Sequence, residues 1–362
     1  MDKNLKILFL GDFQSPNTKS WIEGLVEVGA EVIKASARSD GSGEIHPIGP
    51  IGFPARLRIL LGVNDVKKLI EKYEPDVIIG YRVTSYGYLA AKTGFHPIVV
   101  AAQNEQITFL RKPSWWRQKM LSHFASQAIK KADLLHAWSD NVSDGLKKFG
   151  ADEKNILVMH RGINNEIFAP HDYSFNPEKP KIISTRSLFT EYKIDKLIEA
   201  FKTITESFPE ASLTIIGDGP ERKNLENLAG SLNLSKNIKF TGRLKTAEIS
   251  MILAESDIYI SLIDTEGLSS SLLEACACGT IPIAADIPAS RAVIQNNENG
   301  ILINDLSPKE TGEIICQAIK DDNLRAKCRK NNPEIISEKF SRKNNLKKFL
   351  DKYQELIEEK SK

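Results

Sequence analysis

Short apolar runs alternate along the chain with stretches whose apolar residues recur every three or four positions. KILFL at 6–10, EVIKA at 31–35, DVIIG at 76–80, PIVVAA at 97–102, DLLHAW at 133–138 and NILVM at 155–159 read as buried strands. Between them, Trp21, Ile22, Leu25 and Val26, then Val66, Leu69 and Ile70, stand at helical spacing, followed by a Tyr/Ala-rich helix near 85–93 and a long one near 115–131. Strands separated by helices mean βαβ crossovers and a mostly parallel sheet. The stretch GINNEIFAPHDYSFNPEKP, rich in Pro, Asn and turn formers, interrupts the alternation. It then starts afresh with KIISTR, SLTIIG, NIKFTG, DIYISLI, IPIAA and ILI. The pattern predicts an α/β protein of two Rossmann-like domains at 1–168 and 181–341, joined by a linker at 169–180. Residues 342–362 are predicted as a charged amphipathic helix with Leu346, Phe349, Leu350 and Tyr353 on one face. Ligands of α/β domains bind outside the carboxyl ends of the strands, so the expected site is an interdomain cleft.

Composition narrows the function classes. A chain of 362 residues exceeds one comfortable core, in line with two domains. Apolar residues at 41% and charged residues at 27% fit a soluble globular protein, and a net charge of +2 points to no nucleic-acid partner. The first apolar run is too short for a secretory signal and no stretch approaches a membrane span, which predicts a cytoplasmic location. Cys276, Cys278, Cys316 and Cys328 have neither disulfide nor metal-ligand spacing and read as buried thiols of a reduced compartment. No D-x-D, H-E-x-x-H, G-x-x-x-x-G-K-[ST] or G-x-S-x-G occurs, which removes the main support for zinc protease, P-loop ATPase and serine hydrolase readings.

The segment DTEGLSSSLLEACACGT at 264–280 sets a carboxylate, Glu274, among apolar neighbours. Ser271 and Glu274 have capping-box spacing, so Glu274 could serve only to start a helix. The alternative is a ligand site. A helix start gathers unpaired amides and positive potential suited to phosphate, and Glu266 and Glu274 flank it, ready to accept from sugar hydroxyls. Arg186 ends a predicted strand and Lys193 follows seven positions on. They are either ordinary surface cations or a pair that holds a diphosphate. GDGP at 217–220 and the glycine of FTG at 242 mark either a close approach to a flat ring or a tight turn.

These residues together resemble the retaining, nucleotide-sugar-dependent glycosyltransferases of family 4, which have the GT-B fold. Arg186 with Lys193, GDGP, FTG, and above all Glu266 and Glu274, with seven residues between them, before Ala277, Cys278 and Gly279 carry the likeness. The resemblance implies that Glu274 binds the donor ribose and Glu266 contacts the transferred sugar. It implies further that Gly267, Leu268 and Ser269 offer amides to sugar and phosphate, while Arg186 and Lys193 neutralise the leaving diphosphate. Gly11, Gly217, Arg243 and Leu244 would line the donor, and Asp12 would approach its phosphates from the acceptor side. No metal or other cofactor is expected, because two cations and a helix start can take the place of one. Where the family usually has an aromatic or glycine after the loop glycine, this chain has Leu268 and Ser269. Where many relatives have a histidine after the strand PIVVAA, it has Gln103, Asn104, Glu105 and Gln106. Asn104 and Glu105 either position an acceptor hydroxyl or form a polar loop. His136 reads as structural.

The expected activity is transfer of a sugar from a nucleoside-diphosphate donor to a glycan or lipid-linked acceptor, in polysaccharide or glycoconjugate biosynthesis. A binding-only relative, or an epimerase or phosphorylase on the same plan, is the alternative. The stretch from Leu110 to Lys131 holds Arg111, Lys112, Arg117 and Lys119 beside Trp115 and Trp116, with no acid. It suggests an anionic membrane surface as a partner and a peripheral position on the inner face of the membrane.

Overall fold

The computed structural model describes residues 4–102, 114–304 and 306–361. The chain divides into two units, one of residues 1–161 with 342–362 and the other of residues 162–341.

The first unit is built on seven parallel strands: β1 (Lys6–Leu10), β2 (Glu31–Ser36), β3 (Ile45–Pro47), β4 (Val77–Tyr81), β5 (Ile98–Ala102), β6 (Leu134–Ala137) and β7 (Ile156–Val158). Their order is β3-β2-β1-β4-β5-β6-β7. Strand β1 pairs with both β2 and β4, Ile7 standing opposite Val32 on one side and Val77 on the other. Both faces of this sheet are covered, which is why its strands read as continuous apolar runs rather than alternating ones. Leu8, Leu10, Ile78 and Val100 point into one core, and Ile7, Phe9, Ile79 and Val99 into the other. The expected helix near 85–93 begins as a π-helical turn, Arg82–Gly87, before helix Tyr88–Thr93. Strand β3, only three residues ending in proline at the sheet edge, carried too little pattern to be anticipated.

The C-terminal helix, Arg342–Ser361, belongs to this first unit and not to the second, which it follows in sequence. Leu346, Phe349 and Tyr353 are fully buried against Trp21 and its neighbours, whereas Leu350 only packs at the margin. Arg342 bonds both carboxylate oxygens of Glu27 at 2.8 and 2.7 Å, and Asn345 donates to the His160 carbonyl at 2.9 Å.

The second unit has six parallel strands: β8 (Lys181–Thr185), β9 (Ser212–Ile216), β10 (Ile238–Gly242), β11 (Ile258–Ser261), β12 (Ile281–Ala285) and β13 (Ile301–Ile303). Their order is β10-β9-β8-β11-β12-β13. Residues 169–180, expected as a linker, lie inside this unit, because aromatics among the turn formers give them something to hold. The Arg325 guanidinium sits 3.3 Å from the Phe175 ring centre, and Arg329 sits 5.5 Å from that of Tyr173.

Candidate active site

Strands β8 and β11 are neighbours, with Ile258 opposite Ile182 and Tyr259 opposite Ile183. The residues that leave their carboxyl ends therefore meet, although 80 positions separate them in the sequence. Arg186 follows β8, Ser261 closes β11, and Glu266 lies in the loop beyond. The buried Arg186 guanidinium donates to Glu266 Oε2 at 2.9 Å and Oε1 at 2.5 Å, and to Ser261 Oγ at 3.1 and 2.6 Å. This is a forked pair of the kind that fixes both partners in orientation. Burial opposes the arginine charge, but Tyr259 and Glu266 outweigh it and hold its pKa above the ordinary value. The Tyr259 hydroxyl is pushed up to about 12, chiefly by its own burial.

Lys193 adopts a left-handed backbone, φ 51°, between the turn Thr190–Tyr192 and helix Ile194–Ser207. Its ammonium pairs with the Asp264 carboxylate. Both cations singled out in the sequence are thus engaged by carboxylates of the same short loop.

Helix Ser270–Ala277 starts beside them, and its N-cap decides the capping-box reading of Glu274. Ser269 is the N-cap, its Oγ accepting from the Leu272 amide at 3.4 Å. Ser271 is already inside the helix and donates to the Thr185 carbonyl at 3.1 Å, tying the helix to the end of β8. Glu274 stands five residues past the cap, half-buried in the second turn, so the capping-box reading does not hold. Burial, reinforced by the negative charge of Glu274, pushes the Cys278 thiol up to about 12.

The glycines of GDGP serve the backbone beneath Arg186. Gly217 has φ +145°, and a Cβ there would lie 2.0 Å from the Arg186 carbonyl oxygen; one at Gly219 would lie 2.3 Å from that of Leu188. Leu188 N donates to Asp218 O at 3.1 Å and Glu221 N to Leu188 O at 3.1 Å. The close approach is therefore to this chain's own segment 186–188, which it locks in place. Of the remaining candidates, Arg243 is exposed, Gly267 is half-buried, and Leu244 and Leu268 turn toward the core beside Leu272. All four cysteines are buried free thiols. No cluster of three metal-ligating side chains occurs among the described residues.

In the first unit, Gly11 and Asp12 follow β1. The Gly11 amide donates to Ala35 O at 3.2 Å, and Asp12 accepts from Gln14 N at 3.1 Å and pairs with Arg38 at 3.0 Å. Asn104 and Glu105 lie outside the described residues, as do Arg111 and Lys112. His136 is structural: its Nε2 lies 2.8 Å from the Met159 carbonyl oxygen and its ring meets Phe349 edge-on at 4.3 Å. Burial lowers its pKa to about 4, and that of His160, with help from Arg161, to about 3. Arg161, missed in the sequence, is buried over the Trp138 ring at 5.2 Å and donates to Asn17 O and Oδ1 at 2.7 and 2.8 Å. Asp264 and Ser261 were missed as well. Their signal was available, since both stand within five residues of Glu266.

Residues 166–335 match the family model of glycosyl transferases group 1, and residues 6–137 match that of the glycosyl transferase 4-like proteins. An uncharacterized glycosyltransferase of Methanocaldococcus jannaschii is 29% identical over 286 residues, 76% of this chain and 72% of that protein. The sulfoquinovosyl transferase of Arabidopsis thaliana is 26% identical, over 89% of this chain and 69% of its own. Among solved structures, Anabaena HepE in complex with UDP and glucose superposes with a TM-score of 0.78 at 17% identity, over 97% of this chain and all 100% of that one. Such distant structures establish the fold, GT-B. The second unit is similar to the glycosyl transferases group 1 and the first to the glycosyl transferase 4-like proteins, and the chain is a glycosyltransferase.

Proposed function

We propose that this glycosyltransferase moves a sugar from a nucleoside-diphosphate donor to a glycan or lipid-linked acceptor, with retention at the anomeric carbon, and needs no metal. The observation that carries the reading is the meeting of Arg186, Glu266 and Ser261 at the ends of β8 and β11, beside Lys193 and the start of helix Ser270–Ala277. Donor use is supported by relatives such as the GDP-mannose-dependent mannosyltransferase of Mycobacterium tuberculosis, 26% identical over 40% of this chain. When the bond from the sugar carbon to the diphosphate breaks, its electron pair stays on the phosphate oxygen. The developing charge is stabilised by Lys193, by Arg186 and by the amides that open the helix. Glu266, oriented by the Arg186 fork, accepts from the sugar hydroxyls, and Glu274 accepts from the ribose. Retention follows from the family likeness. The acceptor lies with the first unit, near Gly11 and Asp12, on a protein held peripherally at the inner face of the membrane.

The test is a donor-consumption assay in excess EDTA with uridine, guanosine and adenosine diphosphate sugars. Turnover should persist with one of them, and Lys193→Ala should lower kcat more than it lowers folded stability. Glu274→Gln should weaken nucleoside diphosphate binding by about 1–3 kcal/mol, the cost of unbalancing a half-buried hydrogen bond. Equal affinity in variant and parent would remove Glu274 from the donor site, and metal-restorable loss of turnover would overturn the metal-free mechanism.

A further inference from the structure

The first unit presents an apolar surface that its own fold does not use. Helix Ala55–Leu61 is firmly held on its inner side: Arg58 is buried and its Nε donates to the Ile48 carbonyl at 3.0 Å, while Asp65 accepts from the Gly49 amide at 2.9 Å. Ala55 and Ile59 pack inward against the core. A surface helix seated this way turns polar residues outward. This one turns out Leu57, Leu60 and Leu61, and the turn before it adds Ile51 and Phe53. Leu61 is 59% exposed and Ile51 58%, so these are not residues caught at the margin of a core. Trp115, 78% exposed, and Trp116 open helix Trp115–Lys131. Both helices pack against the same π-helical turn, Arg82–Gly87, at the carboxyl end of β4, so the two apolar elements flank one feature.

Charge decides what covers this surface. No acidic residue occurs from Ile45 to Asn64 or from Ser114 to Ala132. Arg56 and Lys119 are exposed, and the Arg117 guanidinium lies 5.8 Å from the Trp116 ring. A second copy docked through a two-fold axis would set these cations against their own mates. Anionic lipid matches both properties, since apolar and indole side chains settle at the boundary of headgroups and acyl chains while cations hold the phosphates.

We propose that residues 51–61 and the start of helix Trp115–Lys131 form one docking surface for an anionic bilayer, with Ile51, Phe53, Leu57 and Leu61 entering it. The purpose of this surface rests on the lipid-linked acceptor reading, but its existence does not depend on sugar transfer.

The full chain is sedimented with phosphatidylcholine vesicles and with mixed phosphatidylcholine–phosphatidylglycerol vesicles, at low and high salt. The parent should bind only the mixed vesicles, less at high salt, and brominated lipid should quench its exposed tryptophans. The triple variant Phe53→Ser, Leu57→Gln, Leu61→Gln changes exposed side chains only. It should keep the parent's melting temperature and its affinity for uridine or guanosine diphosphate, yet lose about tenfold or more in vesicle partition. No binding by the parent at low salt, or undiminished binding by a folded variant, overturns the proposal. So does a concentration-dependent dimer that the variant abolishes, in the absence of vesicle binding. Vesicle binding without donor turnover would leave this surface standing and sink the transfer reading alone.

Discussion

The first strand of each unit ends in a different chemistry. In the second unit β8 runs into Arg186, whose guanidinium meets Glu266 and Ser261, and Lys193, seven positions after Arg186, pairs with Asp264. In the first unit β1 runs into Gly11 and a single ion pair, Asp12 with Arg38, and the polar groups beyond give way to aromatics and neutral histidines. The sheets themselves are alike, each parallel with its first strand third in the order and its fourth beside it. Shared topology explains why both units gather functional candidates at strand ends, and it explains nothing about which ligand each end takes. That depends on the side chains. One edge is built of opposed charges that a phosphorylated ligand could re-pair, the other of packed rings that hold a helix.

The contrast breaks most sharply at the C-terminal helix. Phe349 is fully buried against His136 and the neighbouring rings, so Phe349→Ala should cost about 3–5 kcal/mol of stability. Chemical denaturation should show this loss, while the nucleotide affinity of the second unit stays at the parent value. A parallel loss of nucleotide binding would mean that the two units do not unfold separately.

Acid should sharpen the same contrast. Five of the six histidines are in the first unit, and His136 and His160 are buried there with pKa values of about 4 and 3 against 6.5 when unfolded. A depressed histidine pKa means that the unfolded state takes up the proton first. Stability is therefore full above the unfolded value and falls as pH drops from 6.5 toward about 4, by about 1.4 kcal/mol per pH unit for each group, some 3 kcal/mol for His136 across that window. The second unit, whose only histidine is the exposed His171, lacks this source of acid sensitivity. Melting followed between pH 7 and pH 4 should show early loss of the first unit, and His136→Phe should flatten the slope. An unchanged slope would remove His136 as its source.

The smallest effect belongs to the loop that shares its carboxylates with the site cations. Asp264 is 64% exposed, so its pair with Lys193 contributes less than about 1 kcal/mol. Asp264→Asn should leave folding unchanged and strengthen nucleoside diphosphate binding up to about fivefold by freeing Lys193, as titration calorimetry would register. Weaker binding would instead make Asp264 part of the nucleotide site.

The sequence went furthest where pattern is local. Apolar runs and helical spacing marked twelve of the thirteen strands among the described residues, because a parallel strand buried on both faces is apolar throughout; of these thirteen only β3, three residues at an edge, escaped. The motif around Glu266 and Glu274 was equally legible, since both stand in one continuous stretch. What sequence could not supply was pairing across distance. Nothing near Arg186 announces that its partner is Glu266, nor near Lys193 that it meets Asp264; only the adjacency of β8 and β11 brings them together. The Ser271–Glu274 spacing failed as a cap for a related reason, since the helix is capped two residues earlier than the spacing requires, at Ser269.

Length and periodicity determined that there would be two Rossmann-like units, because burying that many apolar runs of that length admits few other arrangements. Tertiary structure decided ownership. The C-terminal helix could have covered any apolar face, and it went to the first unit, where Trp21 and His136 receive Phe349 and Arg342 reaches Glu27. The apolar positions of residues 51–61 could equally have been core, and the fold buried Ala55 and Ile59 while leaving Leu57, Leu60 and Leu61 outside. Hydrophobicity says that a side chain gains by leaving water. It does not say which surface receives it, and that choice is made only when every element has found its neighbours.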